Sequence, residues 1–347
     1  MAPAARSRAD AAGRDAPRPR QLRRPLRFPA RSRHRRRRGV MRLFRRRRPV
    51  LFKRADAIGS IEHYYHFLWG YLLPALDIAL TRRLTGPILM RSCGPVLTPK
   101  LVEAARDVHL DLRIDDGPPP GDAEIITLPA LDARIICAPR GPVDDPVHPF
   151  HDKLAALPRT RPDLHAALCD PAAIAALPAD LRALRDRLLP PLLAAAREPA
   201  PAPFLVIRRA DQPDYYDRDG PAESKGYGAG RRSLEGIDAA VEALRARGHA
   251  AQGYVCDAHS VADQAAAFAG ARGIAMVRGA EAGNLIWCRP DTPVLILEPP
   301  GMVASPPHET MAAAARLRLT VLPAETRAPV LDPDAVAAAW GPHPATG

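Results

Sequence analysis

Residues 273–284 read Gly273-Ile274-Ala275-Met276-Val277-Arg278-Gly279-Ala280-Glu281-Ala282-Gly283-Asn284. A short, almost wholly apolar run, then a Gly-Ala turn, then residues able to open a helix, is how a strand of a parallel sheet reads when it is buried on both faces. The same grammar surrounds it. Phe204 to Ile207 reads as a buried strand, and Leu234, Ile237, Val241 and Leu244 mark one face of a helix that ends at Gly248. Ala251 to Val255 is the next strand, and Ser260 opens a helix to Ala269 with Asp263 as an acidic variant of the capping box. Ala280 to Trp287 reads as a short helix, Val294 to Leu297 as a strand, Glu309 to Leu317 as a helix and Thr320 to Leu322 as a strand. Repeats of this length predict a parallel, doubly wound α/β sheet, which binds ligands at the carboxyl ends of its strands.

Upstream, the signal is less regular. Ser60 to Leu80 is apolar and aromatic but carries His63, His66, Pro74 and Asp77, so it reads as a buried helix rather than a membrane span. Strand-like runs recur at Pro87 to Met90, Leu110 to Ile114, Glu124 to Leu128 and Arg134 to Cys137. Residues 172–197 look helical, with interruptions expected at Pro178 and Pro190-Pro191. Pro199, Pro201 and Pro203 form a stiff connector, placing a boundary between a 51–200 half and a 201–347 half.

Charge is distributed unevenly along the 347 residues. The net charge is +12, yet residues 1–50 hold 19 Arg and two acidic residues, a net of +17, which leaves −5 on the remainder. The basicity belongs to a low-complexity arm expected to be disordered, so it does not argue for a nucleic-acid-binding surface. The arm reads either as a dispensable tail ahead of Met41 or as a polybasic contact with anionic membrane. It lacks an apolar core and a small-residue cleavage site, which points to a cytoplasmic protein. The five Cys are scattered, with no zinc spacing, so neither a disulfide scaffold nor a structural metal is expected.

Three strand ends should open onto one crevice: Arg208-Arg209, Arg278-Gly279-Ala280 and Glu298. A turn at Gly279 that presents backbone N–H groups suits a phosphate, Arg208 adds forked hydrogen bonds, and Glu298 can accept from ribose hydroxyls. Together these residues describe a nucleotide diphosphate site. Strand-end Arg residues also serve as structural ion-pair partners, and that reading stays open.

The ordered set resembles glycosyltransferase family 61, which includes capsular polysaccharide biosynthesis proteins and O-linked sugar transferases. The resemblance covers about residues 60–325. It rests on Tyr64-Tyr65-His66-Phe67 with Leu73-Pro74, on Phe204-Leu205-Val206-Ile207-Arg208, and on Arg231-Arg232. It continues through Ser260 to Gln264 with Phe268-Ala269-Gly270-Ala271-Arg272, then Gly279, Ala280 and Asn284, and finally Glu298. Two departures stand out. Arg278 occupies the place of the family's usual His, and Glu281-Ala282-Gly283 replaces its usual Gly-Leu-Thr.

The resemblance implies a GT-B-like fold of two Rossmann-like domains facing a cleft, the first for an acceptor and the second for a nucleotide sugar. It implies inverting, metal-independent transfer to a glycan acceptor such as a capsule or other surface polysaccharide, with no cofactor beyond the donor. Arg208, Arg232 and Arg278 would surround the diphosphate, Gly279, Ala280 and Asn284 would form the turn, and Glu298 would lie near the ribose. His66, which matches the family motif, is the first candidate base, and Glu281 the second. The alternative is a catalytically silent relative that binds a glycan or a partner. A histidine on an apolar helix is also often a hydrogen-bonded core residue. His63 and His66 lack a third metal ligand, Asp217-Arg218-Asp219 reads as polar loop, and Asp332-Pro333-Asp334 as a capping turn.

Overall fold

Nine short strands form two sheets, each wholly parallel, in the computed structural model, which describes residues 48–55, 58–198, 204–219, 232–302 and 307–341. The Arg-rich arm to residue 47, the Pro199–Pro203 connector and Arg231 lie outside the described residues.

The first sheet contains β1 (Val50–Lys53), β2 (Ile88–Met90), β3 (Leu112–Ile114) and β4 (Glu124–Thr127), in the order β3-β2-β1-β4. Strand β1 begins inside the segment assigned from sequence to the arm, because Val-Leu-Phe follows the last Arg block directly. The second sheet contains β5 (Phe204–Arg208), β6 (Ala251–Val255), β7 (Gly273–Val277), β8 (Pro293–Glu298) and β9 (Arg318–Pro323), in the order β6-β5-β7-β8-β9. In each sheet the order reverses once, between β1 and β4 and between β5 and β7. Doubly wound sheets open a ligand crevice at such points.

Residues 131–137 form a helix (Leu131–Cys137), not a strand, because Leu131 and Ile135, four apart, bury one side. A four-residue apolar run does not distinguish the two periods. The expected interruptions at Pro178, Pro190 and Pro191 are likewise absent, and Pro171–Ala195 is one helix with Asp170 capping it through the Ala172 N–H. Its buried stripe is Leu177, Leu181, Leu184, Leu188 and Leu192. Five such side chains contribute about 1.5–3 kcal/mol each, enough to offset about 3 kcal/mol per interior proline, and the prolines lie off the buried stripe.

The aromatic stretch is a buried helical rod: Tyr64–Phe67, a π-helical turn at Leu68–Leu72, then Leu73–Thr81. Among the described residues no helix is long and apolar enough to cross a membrane. Asp217-Arg218, read with Asp219 as polar loop, fall in a short helix (Asp214–Arg218), since Tyr216 is buried and donates to the Glu62 carbonyl at 2.7 Å. Ser260 accepts from the Asp263 N–H and Asp332 from the Asp334 N–H, as the two capping patterns predict.

The chain passes from the first sheet to the second between Ala195 and Phe204, and residues on both sides share one apolar core. Residues 46–347 cluster as a single compact unit. At the seam, Gly283 lies against the indole of Trp69, and a Cβ there would approach Trp69 Nε1 to 2.8 Å. Gly283→Ala should therefore destabilise by about 1–3 kcal/mol. Urea unfolding followed by circular dichroism and by Trp fluorescence should give one coincident transition, shifted in midpoint; two separated transitions would contradict the shared core.

Candidate functional site

At the reversal point of the first sheet, three polar side chains converge. Arg54 follows β1, Asp132 lies in the first turn of the Leu131–Cys137 helix beyond β4, and His66 projects from the Tyr64–Phe67 helix. His66 Nδ1 lies 2.8 Å from Asp132 Oδ2, and Arg54 Nη2 reaches the same oxygen at 3.1 Å. The Asp132 side chain is 1% exposed and that of His66 13%. With Nδ1–H donated to the carboxylate, the ring's acceptor is Nε2, the tautomer a general base needs.

Glycines make this approach possible. A Cβ on Gly70, in the π-helical turn, would lie 2.6 Å from Asp132 Oδ2. A Cβ on Gly59, at φ +64°, would lie 2.1 Å from His66 Nε2. Arg54 also donates to the carbonyls of Ile58 and Gly59 at 2.7 and 2.8 Å, so one guanidinium holds both Asp132 and the strap over the imidazole edge.

His66 lines a cavity of about 160 Å³ together with His63, Tyr65, Arg232, Arg278, Gly279 and Ala280. Five of the residues singled out from sequence, one from the first half and four from the second, thus meet on one wall system. Arg232 and Met302 continue into an adjoining cavity of about 220 Å³ bounded by Pro299, Gly301 and Arg327. The other candidates lie elsewhere. Arg208 pairs with Asp238 in a separate pocket of about 510 Å³ beside the start of the Ile237–Ala246 helix. Asn284 is fully buried and donates to Gln264 Oε1 at 2.8 Å, the oxygen that also accepts from the Tyr64 hydroxyl at 2.7 Å.

Glu298 pairs with Arg278. Glu281 pairs with Arg209 at 2.9 Å across the β5/β7 reversal, both side chains under a tenth exposed. A carboxylate held by a buried guanidinium is a poor proton acceptor, because protonation would leave the guanidinium uncompensated. Glu281 Oε2 also covers the Gly279 turn: a Cβ on Gly279 would sit 2.3 Å from it. A carboxylate of the chain thus lies against the turn that the sequence suggested for phosphate.

Sequence reasoning did not single out Asp132, Arg54, Asp257 or His308, and it noted Arg209 only as a strand-end residue. Among the described residues His308 is fully buried with neither ring nitrogen hydrogen-bonded, and burial and the Arg278 cation hold its pKa at about 4, so it is neutral. Asp257, beyond β6, is pushed up to about 6 by burial and then by the Glu281 charge, against the opposing pull of Lys100 and Arg209. No cluster of three or more metal-ligating side chains occurs among the described residues.

Neither the comparison with protein-family models nor that with curated proteins finds a match. The chemistry open to the site is set by this geometry.

Two tests follow from it. Gly70→Ala should separate Asp132 from His66 and weaken the fold by about 1–3 kcal/mol, seen as a lowered urea midpoint and a shifted His66 imidazole resonance. An acid whose folded pKa exceeds its unfolded value binds protons more tightly when folded, so its contribution to stability falls as pH rises from about 4 through about 6. Asp257→Asn should accordingly be more stable than the native chain at pH 8, with the difference closing by pH 4; a difference independent of pH would show that Asp257 does not titrate in this range.

Proposed function

We propose that the chain is a glycosyltransferase with a GT-B-like arrangement, moving a sugar from a nucleotide-sugar donor to a hydroxyl of a glycan acceptor, with inversion and without a metal. The observation that carries this reading is the meeting of His66, backed by Asp132, with Arg232, Arg278 and Gly279 on one cavity between the two sheets.

In this reading the Gly59 strap moves off His66 Nε2, and the acceptor hydroxyl gives its proton to that nitrogen as its oxygen bonds to the sugar's anomeric carbon. The bond from that carbon to the diphosphate breaks, and the diphosphate leaves with the electron pair. Arg278 and Arg232 stabilise the departing charge, and Asp132 stabilises the imidazolium formed on His66. A diphosphate at Arg278 must share or displace Glu298, whose side chain is 31% exposed and can move toward solvent. Glu281 stays with Arg209 and takes no part in proton transfer. Arg208 belongs to the neighbouring pocket and contributes to no step.

A second reading has its own support. Arg208, Arg209 and Arg278 are each balanced by an acidic partner, as expected of a relative that has lost donor binding and holds a glycan or partner instead. Thermal-shift titration with UDP, GDP, CDP, CMP and ADP, with and without Mn²⁺, separates the two, since a ligand that binds only the folded chain raises its midpoint. Transfer predicts a metal-independent shift by one nucleotide, abolished in Arg278→Ala and retained in His66→Ala. Turnover in His66→Ala should fall by about 10²–10⁴. No shift with any nucleotide would favour the silent relative.

A further inference from the structure

A cavity of about 420 Å³ lies at the carboxyl ends of β1 and β2, with walls distinct from those of the His66 cavity. This is within the size range of small-molecule sites, about 300–1,000 Å³. Its body is apolar: Leu51 and Phe52 from β1, Ile125 from β4, and Ile61 with the ring of Tyr71. Ile125, on the edge strand β4 opposite Leu51, is 55% exposed and so available to a ligand.

The polar part of the wall is of one sign. Lys53, Arg54 and Arg91 line the cavity, and no carboxylate does among the described residues. Arg91 donates to the Asp115 carbonyl at 2.8 Å through Nη1, and Arg54 shares its charge with Asp132. Lys53 makes no ion pair among the described residues. Arg54 Nε is buried and has no acceptor among them.

We propose that this cavity is a ligand site for a small amphiphilic anion, with a short aliphatic or aromatic body and a carboxylate or phosphate head. The body lies along Leu51, Ile61 and Ile125, and the head is held by Lys53 and Arg91 beside the Arg54 guanidinium. The site is independent of the donor cavity and holds whether or not the chain transfers sugars.

The test uses 1-anilinonaphthalene-8-sulfonate on the full chain, with neutral N-phenyl-1-naphthylamine as control. The native chain should bind one equivalent of the sulfonate more tightly than the neutral dye. Octanoate or octyl phosphate should displace it, the more effective of the two identifying the head, whereas octanol and nucleoside diphosphates should not. Lys53→Glu, at an exposed position that leaves the core intact, should weaken the sulfonate about tenfold and leave the neutral dye unchanged. Ile125→Asp should weaken both. Equal affinity for the two dyes, displacement by a nucleoside diphosphate, displacement by neither amphiphile, or unaltered sulfonate binding in Lys53→Glu would each overturn the assignment.

Discussion

A single amide oxygen, Oε1 of Gln264, ties the first half of the chain to the second. It accepts from Tyr64 on the aromatic rod of the first half and from Asn284 in the helical turn after β7, while the Gln264 Nε2 donates to the His259 carbonyl. All three side chains are buried, so each lost bond would leave a polar atom away from water. Around this knot the tyrosine, tryptophan and leucine side chains of the rod pack against Ala280–Trp287, and Lys100 ties the first half to the carbonyls of Asp257 and His259. The rod in turn carries His66 and Gly70. The position of the imidazole relative to Arg278 is therefore set by the packing of the rod that carries His66 against the turn that follows Arg278.

Charge in the cleft obeys a second constraint. Buried guanidinium groups need counter-ions, and this chain supplies them internally: Glu281 for Arg209 and Glu298 for Arg278. The two pairs differ in consequence. The first is enclosed and adds rigidity to the β5/β7 crevice, since breaking it would leave an uncompensated charge in the interior. The second has one partly exposed member, so an anionic ligand can compete with it. Any anion entering the cavity is thus weighed against Glu298, which favours groups of higher charge than a single carboxylate.

The second sheet was legible in the sequence because its central strands β5, β7 and β8 are buried on both faces and read as nearly unbroken apolar runs. The first was harder. Strand β1 abuts an arginine block that masked it, and the exposed faces of β3 and β4 dilute their apolar pattern. The Leu131–Cys137 helix looked like a strand because it is too short to show a period. At the site, His66 stood out by its surroundings, yet its partner Asp132 is 66 residues away, and no local pattern announces a contact that the topology creates. Arg278 and Gly279 were visible as strand-end residues. Their acidic partners were visible as residues but not as partners, so the sequence suggested a phosphate turn where the chain supplies its own carboxylate. His308 had no sequence signal, because burial without a hydrogen bond is a property of the packed fold alone.

The long Pro171–Ala195 helix and the shared core bear on how a ligand of the proposed site would come and go. Two-lobed proteins commonly admit ligands by swinging one lobe about a flexible joint, which requires a thin, polar interface between lobes. Here the leucine stripe of that helix belongs to the same apolar cluster as residues of both sheets, and its Arg182 reaches the Ala314 carbonyl in the second half. A swing would tear apolar contacts and the Gln264 knot together. Entry and exit are thereby left to side chains and surface connections, and the cleft works as a fixed mould rather than a jaw.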